Sequence, residues 1–187
     1  MKIKEEKIKS TIKPYMKKAR SGDWEHTLRV VEWVKILGKK RKDLNILITA
    51  AYIHDIGWSG IAPKGKLDLD EMLKLELLAN KNSKKLVLEV LNKLKFSEKD
   101  INTVQRLVSA VDKHKAKKDD EGIILDADSL NKLCIEHLEQ KYQPKSFIKM
   151  INLWEKVLAG RIKTKKGKEI YPELLLTLKN QIAKKFT

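Results

Sequence analysis

The stretch LNILITAAYIHDIG, residues 44–57, decides the fold. Its apolar residues return at three- and four-residue intervals, the period of a helix rather than the alternation of a strand. Leu47, Ala51 and His54 share one stripe with Asp55 beside it, Asp43 stands where a capping residue would, and Gly57 supplies a stop. The run stays apolar until it ends on an imidazole and a carboxylate together. Aspartate is almost never fully buried without a partner. Taking both groups out of water calls for something that compensates both, and a divalent metal does so. Imidazole nitrogen with carboxylate oxygen suits Mn, Fe, Co, Ni or Zn, and such sites suit hydrolysis. For the dipeptide alone, a hydrogen-bonded pair at a helix end is the plainer alternative.

Upstream, WEHTLRVVEWVKILGKK (24–40) reads as a helix with Asp23 as N-cap, and His26, Val30, Trp33 and Leu37 fall on one face. Downstream, Gly60, Pro63 and Gly65 mark a loop from Trp58 to Leu67. Helices are expected over 68–80 and 83–95, with Asp68, Asp70 and Glu71 as favourable charges at a helix N-terminus. Ser97 opens a cap before INTVQRLVSAVDKH (101–114). The charged stretch Lys115 to Glu121 reads as a loop with Gly122 at its end, and a further helix starts from Asp126 or Asp128. Pro144 and Pro172 each sit where a helix could begin. The pattern predicts one all-α domain over residues 1–187, without repeats or linkers.

Composition limits the alternatives. The 187 residues are 42% hydrophobic and 35% charged with mean hydropathy −0.45, enough for a core. No apolar run approaches the ~18–20 residues of a membrane helix, and Met1 to Lys9 lacks the apolar centre of a signal peptide. The single cysteine, Cys134, cannot form an internal disulfide, and its apolar neighbours suggest core. A cytoplasmic protein without a membrane partner is the expectation. Lys and Arg number 41 against 25 acids, a net charge of +16, which raises nucleic acid as a partner. Only five of the 41 are arginines and the lysines are scattered, so a solvated surface is favoured over a dedicated nucleic-acid site.

The segments EHTLRVVEW (25–33), AAYIHDIG (50–57), VSAVDKH (108–114) and LDADSLNKL (125–133) together resemble the HD-domain superfamily of metal-dependent phosphohydrolases, whose signature is H…HD…D on an all-helical bundle. The resemblance runs over residues 15–185 and includes RIKTKKGKEIYPELL (161–175), similar to a Thr-x-x-Gly segment of small stand-alone members. It implies one divalent metal (Mn, Fe, Co, Ni, Zn or Mg) held by His26, His54, Asp55 and Asp128, with Asp126 as the alternative fourth ligand. His114 would lie near the open coordination positions as a catalytic group, and Arg29, one turn after His26, would clamp a phosphate or pair with a site carboxylate. Trp58 would line the pocket or pack, and His137 is read as structural or surface. No histidine falls between Asp55 and His114, which favours a single metal; Ile56, Gly57 and Trp58 lack the Glu that some nucleotidase members place there. The resemblance implies a phosphohydrolase acting on a small phosphorylated metabolite, with a nucleotide favoured. The other class is a non-catalytic HD domain that binds nucleotide or RNA.

Overall fold

The computed structural model describes residues 4–186. These hold nine α-helices and no strand: α1 (Glu5–Met16), α2 (Asp23–Leu37), α3 (Leu44–Ile53), α4 (Leu69–Lys93), α5 (Glu98–Asp112), α6 (Asp119–Asn131), α7 (Ile135–Lys141), α8 (Phe147–Arg161) and α9 (Lys165–Phe186). Short 3₁₀ turns at Ile56–Trp58 and Pro144–Ser146 follow α3 and precede α8. The all-α expectation is met.

Two hydrophobic cores form. Residues of α1 to α6 build the larger one, with Ile12, Val34, Leu47, Ile53, Leu91, Leu107 and Ile124 at its centre. The helices α7 to α9 build the other from Leu138, Phe147, Met150, Trp154, Leu158 and Leu178. Full burial of each such side chain favours the folded state by about 1.5–3 kcal/mol before chain entropy is charged against it. Helix α3 is buried at every position from Leu47 to Ile53, which explains why its sequence is apolar on all sides. Helix α6 is buried from Glu121 to Asn131 and packs on α2, α3, α5, α8 and α9. Being polar and central at once, it must find partners for Glu121, Asp126, Asp128 and Asn131.

The structure departs from the sequence expectations at several helix ends. Asp23 is the first residue of α2 rather than its cap; Gly22 takes the N-cap at φ 74°, and the Asp23 carboxylate turns back to accept from Arg20 N at 2.9 Å. Asp43 makes no capping bond because Arg41 occupies both of its oxygens. The acidic run before Gly122 is the first turn of α6, where Glu121 accepts from Lys117 N and Lys118 N. Helix α6 ends at Asn131, and α7 is separate. Pro172 lies inside α9 and does not begin it, whereas Pro144 does open a 3₁₀ turn. Ser97 caps α5, and Asp68 and Glu71 form a capping box on α4.

Helix α4 is continuous across 81–83, where a break was expected. The polar run Lys81-Asn82-Ser83 holds the turn that follows the His-Asp pair: Asn82 Nδ2 donates to Gly57 O at 2.8 Å and Ser59 O at 3.2 Å. Gly57 is therefore a point of close approach, not a left-handed helix stop. A methyl at Gly57 would overlap the Ala79 carbonyl oxygen and come within 2.8 Å of Ser83 Cβ. Gly57→Ala should destabilise the fold by about 1–3 kcal/mol through overpacking, read from urea unfolding. An unchanged midpoint would contradict this packing.

Candidate metal centre

Three helices deliver the donor atoms. His26 comes from the inner face of α2, His54 from the end of α3, and Asp128 from the buried middle of α6. His26, His54 and Asp128 each offer an atom within 4.8 Å of the other two. His26 Nε2 lies 3.0 Å from His54 Nε2 and 3.3 Å from Asp128 Oδ1; His54 Nε2 lies 3.8 Å from the same oxygen. Asp55 Oδ2 reaches the two imidazoles at 3.4 and 3.7 Å. Such spacings suit neighbouring ligands of one ion bound at about 2.0–2.2 Å.

The chemistry of the donors fits a divalent cation. Burial, with Lys141 beside it, pushes the His26 imidazole down to about 3, so the ring is neutral as a ligand must be. His54 Nδ1 sits 2.8 Å from Ala51 O, to which it can donate, leaving Nε2 with its lone pair directed at the cluster. Asn131 faces His26 Nδ1 with its amide nitrogen while its Oδ1 accepts from Arg29 Nε, so the His26 tautomer with a free Nε2 lone pair requires the amide to turn its oxygen to the ring. Burial alone would raise the carboxyls of Asp55 and Asp128. For Asp55 it is outweighed by Arg20, His54 and Lys141, and for Asp128 by Lys132 and the two imidazoles, so both are held well below the usual carboxylate range.

The cations are part of the same network. Arg20 bonds Asp23 at 3.0 Å and Asp55 at 2.5 Å, and its guanidinium lies 4.0 Å over the Trp58 ring. Lys141, 3% exposed, pairs with Asp23 and lies 3.5 Å from Asp55. The backbone around Lys141 is pinned in turn, since Leu67 N donates to Lys141 O and Gln143 N donates to Leu67 O. Lys132 pairs with Asp128 at 2.5 Å.

His26, Asp55 and Asp128 of the cluster line a cleft of about 250 Å³ between the two cores, together with Trp58, Met72, Glu76, His137, Trp154 and Arg161. His114 lines it as well. It lies just past α5 in the left-handed conformation, φ 52°, and places Nε2 3.4 Å from Glu76 Oε1. Trp58 both packs, at 5% exposure, and lines the cleft. Cys134 is half-buried and its thiol donates to Asn131 O.

One placement corrects the sequence reading and two decide between its alternatives. Arg29 does not line the cleft; its guanidinium donates to Asn131 and Gln140 on the far side of His26. A residue three positions on is rotated about 60° from the face of the first. Asp126 points away from the imidazoles and accepts from Lys163 N, Thr164 N and Thr164 Oγ1 at 2.6–2.8 Å, tying α6 to the start of α9. His137 is not a surface residue: it is 1% exposed, packs 4.9 Å from the His26 ring, and among the described residues neither ring nitrogen has a partner. No motif flags it in the sequence.

Asp112, Glu76 and Arg161 also escape sequence reasoning. Burial, reinforced by the charge of Asp55, pushes the Asp112 carboxyl up to about 7. Its unfolded value is about 3.9. Between those values the native state keeps a proton that the unfolded chain has lost, so this group's contribution to stability falls as pH rises toward 7. The neutral buried rings of His26 and His137 act with the opposite sign, so the difference between proteins is diagnostic. In metal-free protein, Asp112→Asn should gain stability relative to wild type between about pH 5 and about pH 8, measured by urea unfolding. A difference independent of pH would contradict the raised value.

The HD domain family model matches residues 23–143. No curated protein and no solved structure matches the chain. The matched span contains His26, His54, Asp55, His114 and Asp128, and ends before α8, which supplies Trp154 and Arg161 to the cleft. With more than half of its length matched and the His-Asp pair in an all-helical setting, the chain belongs to the HD domain family.

Proposed function

We propose that the protein is a phosphohydrolase that removes phosphate from a small phosphorylated metabolite, with a nucleotide favoured, using one divalent ion held by His26, His54, Asp55 and Asp128. The observation that carries this reading is the meeting of two imidazole nitrogens and two carboxylates at the floor of a cation-lined cleft. An ion of the Mn, Fe, Co, Ni, Zn or Mg type supplies Lewis-acid polarisation of a phosphoryl oxygen and a water of lowered pKa.

The chain's own residues do the rest. Arg20 and Lys141 keep Asp55 ionised and fixed in direction, and Lys132 does the same for Asp128. His114, at the cleft wall, is placed to meet the phosphate or to give a proton to the leaving oxygen. Arg29 acts through Asn131 on the orientation of His26, which makes it a positioning residue. The cleft volume lies just under the ~300–1,000 Å³ of ordinary ligand sites, which supports a small substrate. Trp58 and Trp154 add apolar surface to the walls.

The test is phosphate release from a panel of phosphomonoesters, including nucleoside monophosphates, with each candidate ion. Wild type should turn over at least one ester in a metal-dependent way, and His54→Ala should fall to background. His114→Gly separates catalysis from folding. It removes a left-handed non-glycine residue and should raise stability by about 1 kcal/mol, while kcat falls about 10²-fold or more. Metal-independent nucleotide or RNA binding that survives His54→Ala, without turnover, would overturn the hydrolase reading.

A further inference from the structure

The cations of the cleft divide into two kinds. Arg20, Lys132 and Lys141 are each held by a carboxylate of the cluster, and His114 faces Glu76. Arg161 differs. It is the last residue of α8, half-buried, and its side chain lines the cleft. Among the described residues no carboxylate lies within 4.0 Å of it and it donates no hydrogen bond; Asp128 and Glu76 act on it only at longer range. Burial pushes its guanidinium down, with no close anion to offset the loss of water. A guanidinium partly withdrawn from water gains most from a planar anion that takes two of its donors.

A second observation in the same cleft points to a polar ligand. The His137 ring, packed between His26 and Trp154, is 1% exposed and lines the cleft, and among the described residues neither of its nitrogens has a partner. Buried polar atoms are satisfied in the great majority of cases, and an orphan calls for a missing partner. Met150, Leu153, Trp154 and Val157 of α8 line the same cleft as Arg161 and give it an apolar stretch suited to a spacer.

We propose that the substrate carries a second anionic group, a carboxylate or a second phosphoryl, and that Arg161 binds it at the end of the cleft away from the reacting phosphate. This rests on the phosphohydrolase reading for the identity of the first anion. Arg161 then selects substrates by their far end, while the imidazole and carboxylate cluster acts on the near one. Its position at the C-terminus of α8 also favours a cation electrostatically, so the test must separate recognition from a helix-end charge.

Phosphonates, which are not hydrolysed, serve as probes. Metal-loaded protein is titrated calorimetrically with ω-carboxyalkylphosphonates of two to four methylenes, each against the alkylphosphonate of equal length, and with the matching diphosphonates. At one spacer length wild type should prefer the dianionic probe by about tenfold or more, the scale of a charge-assisted hydrogen bond. Whether the carboxylate or the diphosphonate series shows it names the second anion. Arg161→Gln should abolish the preference and leave alkylphosphonate affinity unchanged. Lys163→Gln, the same charge change at an exposed position just past the C-terminus of α8, should keep the preference. No preference in wild type at any length, or equal preference in Arg161→Gln, overturns the proposal. Metal content read on the same samples separates this from failure of the metal reading: a protein without metal that still shows the Arg161-dependent preference leaves the subsite standing and removes the hydrolase.

Discussion

The buried ion network Arg20–Asp23–Lys141–Asp55 is the constraint on which the site depends. Asp23 and Lys141 are 0% and 3% exposed, and neither charge could remain there alone. Removing one partner of such a set leaves an uncompensated charge in the interior at a cost of about 3–5 kcal/mol. The network spans the turn before α2, the end of α3 and the end of α7, so it fixes three chain segments against one another. It also determines where the Asp55 carboxylate points, with one oxygen shared between Arg20 and the imidazole pair. Trp58, stacked on Arg20, closes the arrangement from the cleft side.

The remainder of the fold serves to hold the cluster where two cores meet. Helix α6 lies between them and divides its acids by direction: Asp128 toward the imidazoles, Asp126 toward the start of α9, and Glu121 toward Arg106. Residues two positions apart on a helix differ by about 200° in direction, which is why Asp126 and Asp128 cannot serve the same site. Gly167 permits the contact at the α9 end, since a Cβ there would meet Asp126 Oδ2 at 2.6 Å. The Thr-x-x-Gly segment thus works structurally, through the Thr164 hydroxyl that donates to Asp126 and accepts from Gly167 N.

What was legible in the sequence followed from short-range rules. A run apolar on all sides that ends in His-Asp gave α3 and its buried terminus, helical spacing put His26 on an inner face, and the motif resemblance named Asp128 as the fourth ligand with Asp126 as the alternative. The unread parts depend on partners distant in the chain. The polar run in α4 looked like a break because its acceptors, Gly57 O and Ser59 O, lie on another segment. Arg29 looked like a phosphate ligand because nothing local announces Asn131 and Gln140. His137 carried no motif, and Arg161 is conspicuous only once the carboxylates near every other cleft cation have been located.

The central claim is that two imidazoles and two ionised carboxylates meet here to hold one ion. Elemental analysis of protein purified without chelator tests it most directly, wild type beside Asp55→Ala. The account predicts about one transition-metal ion per chain in wild type and its loss in the variant, with helical content retained by circular dichroism. Metal absent from both proteins after incubation with Mn or Fe, or retained equally by both, would contradict it.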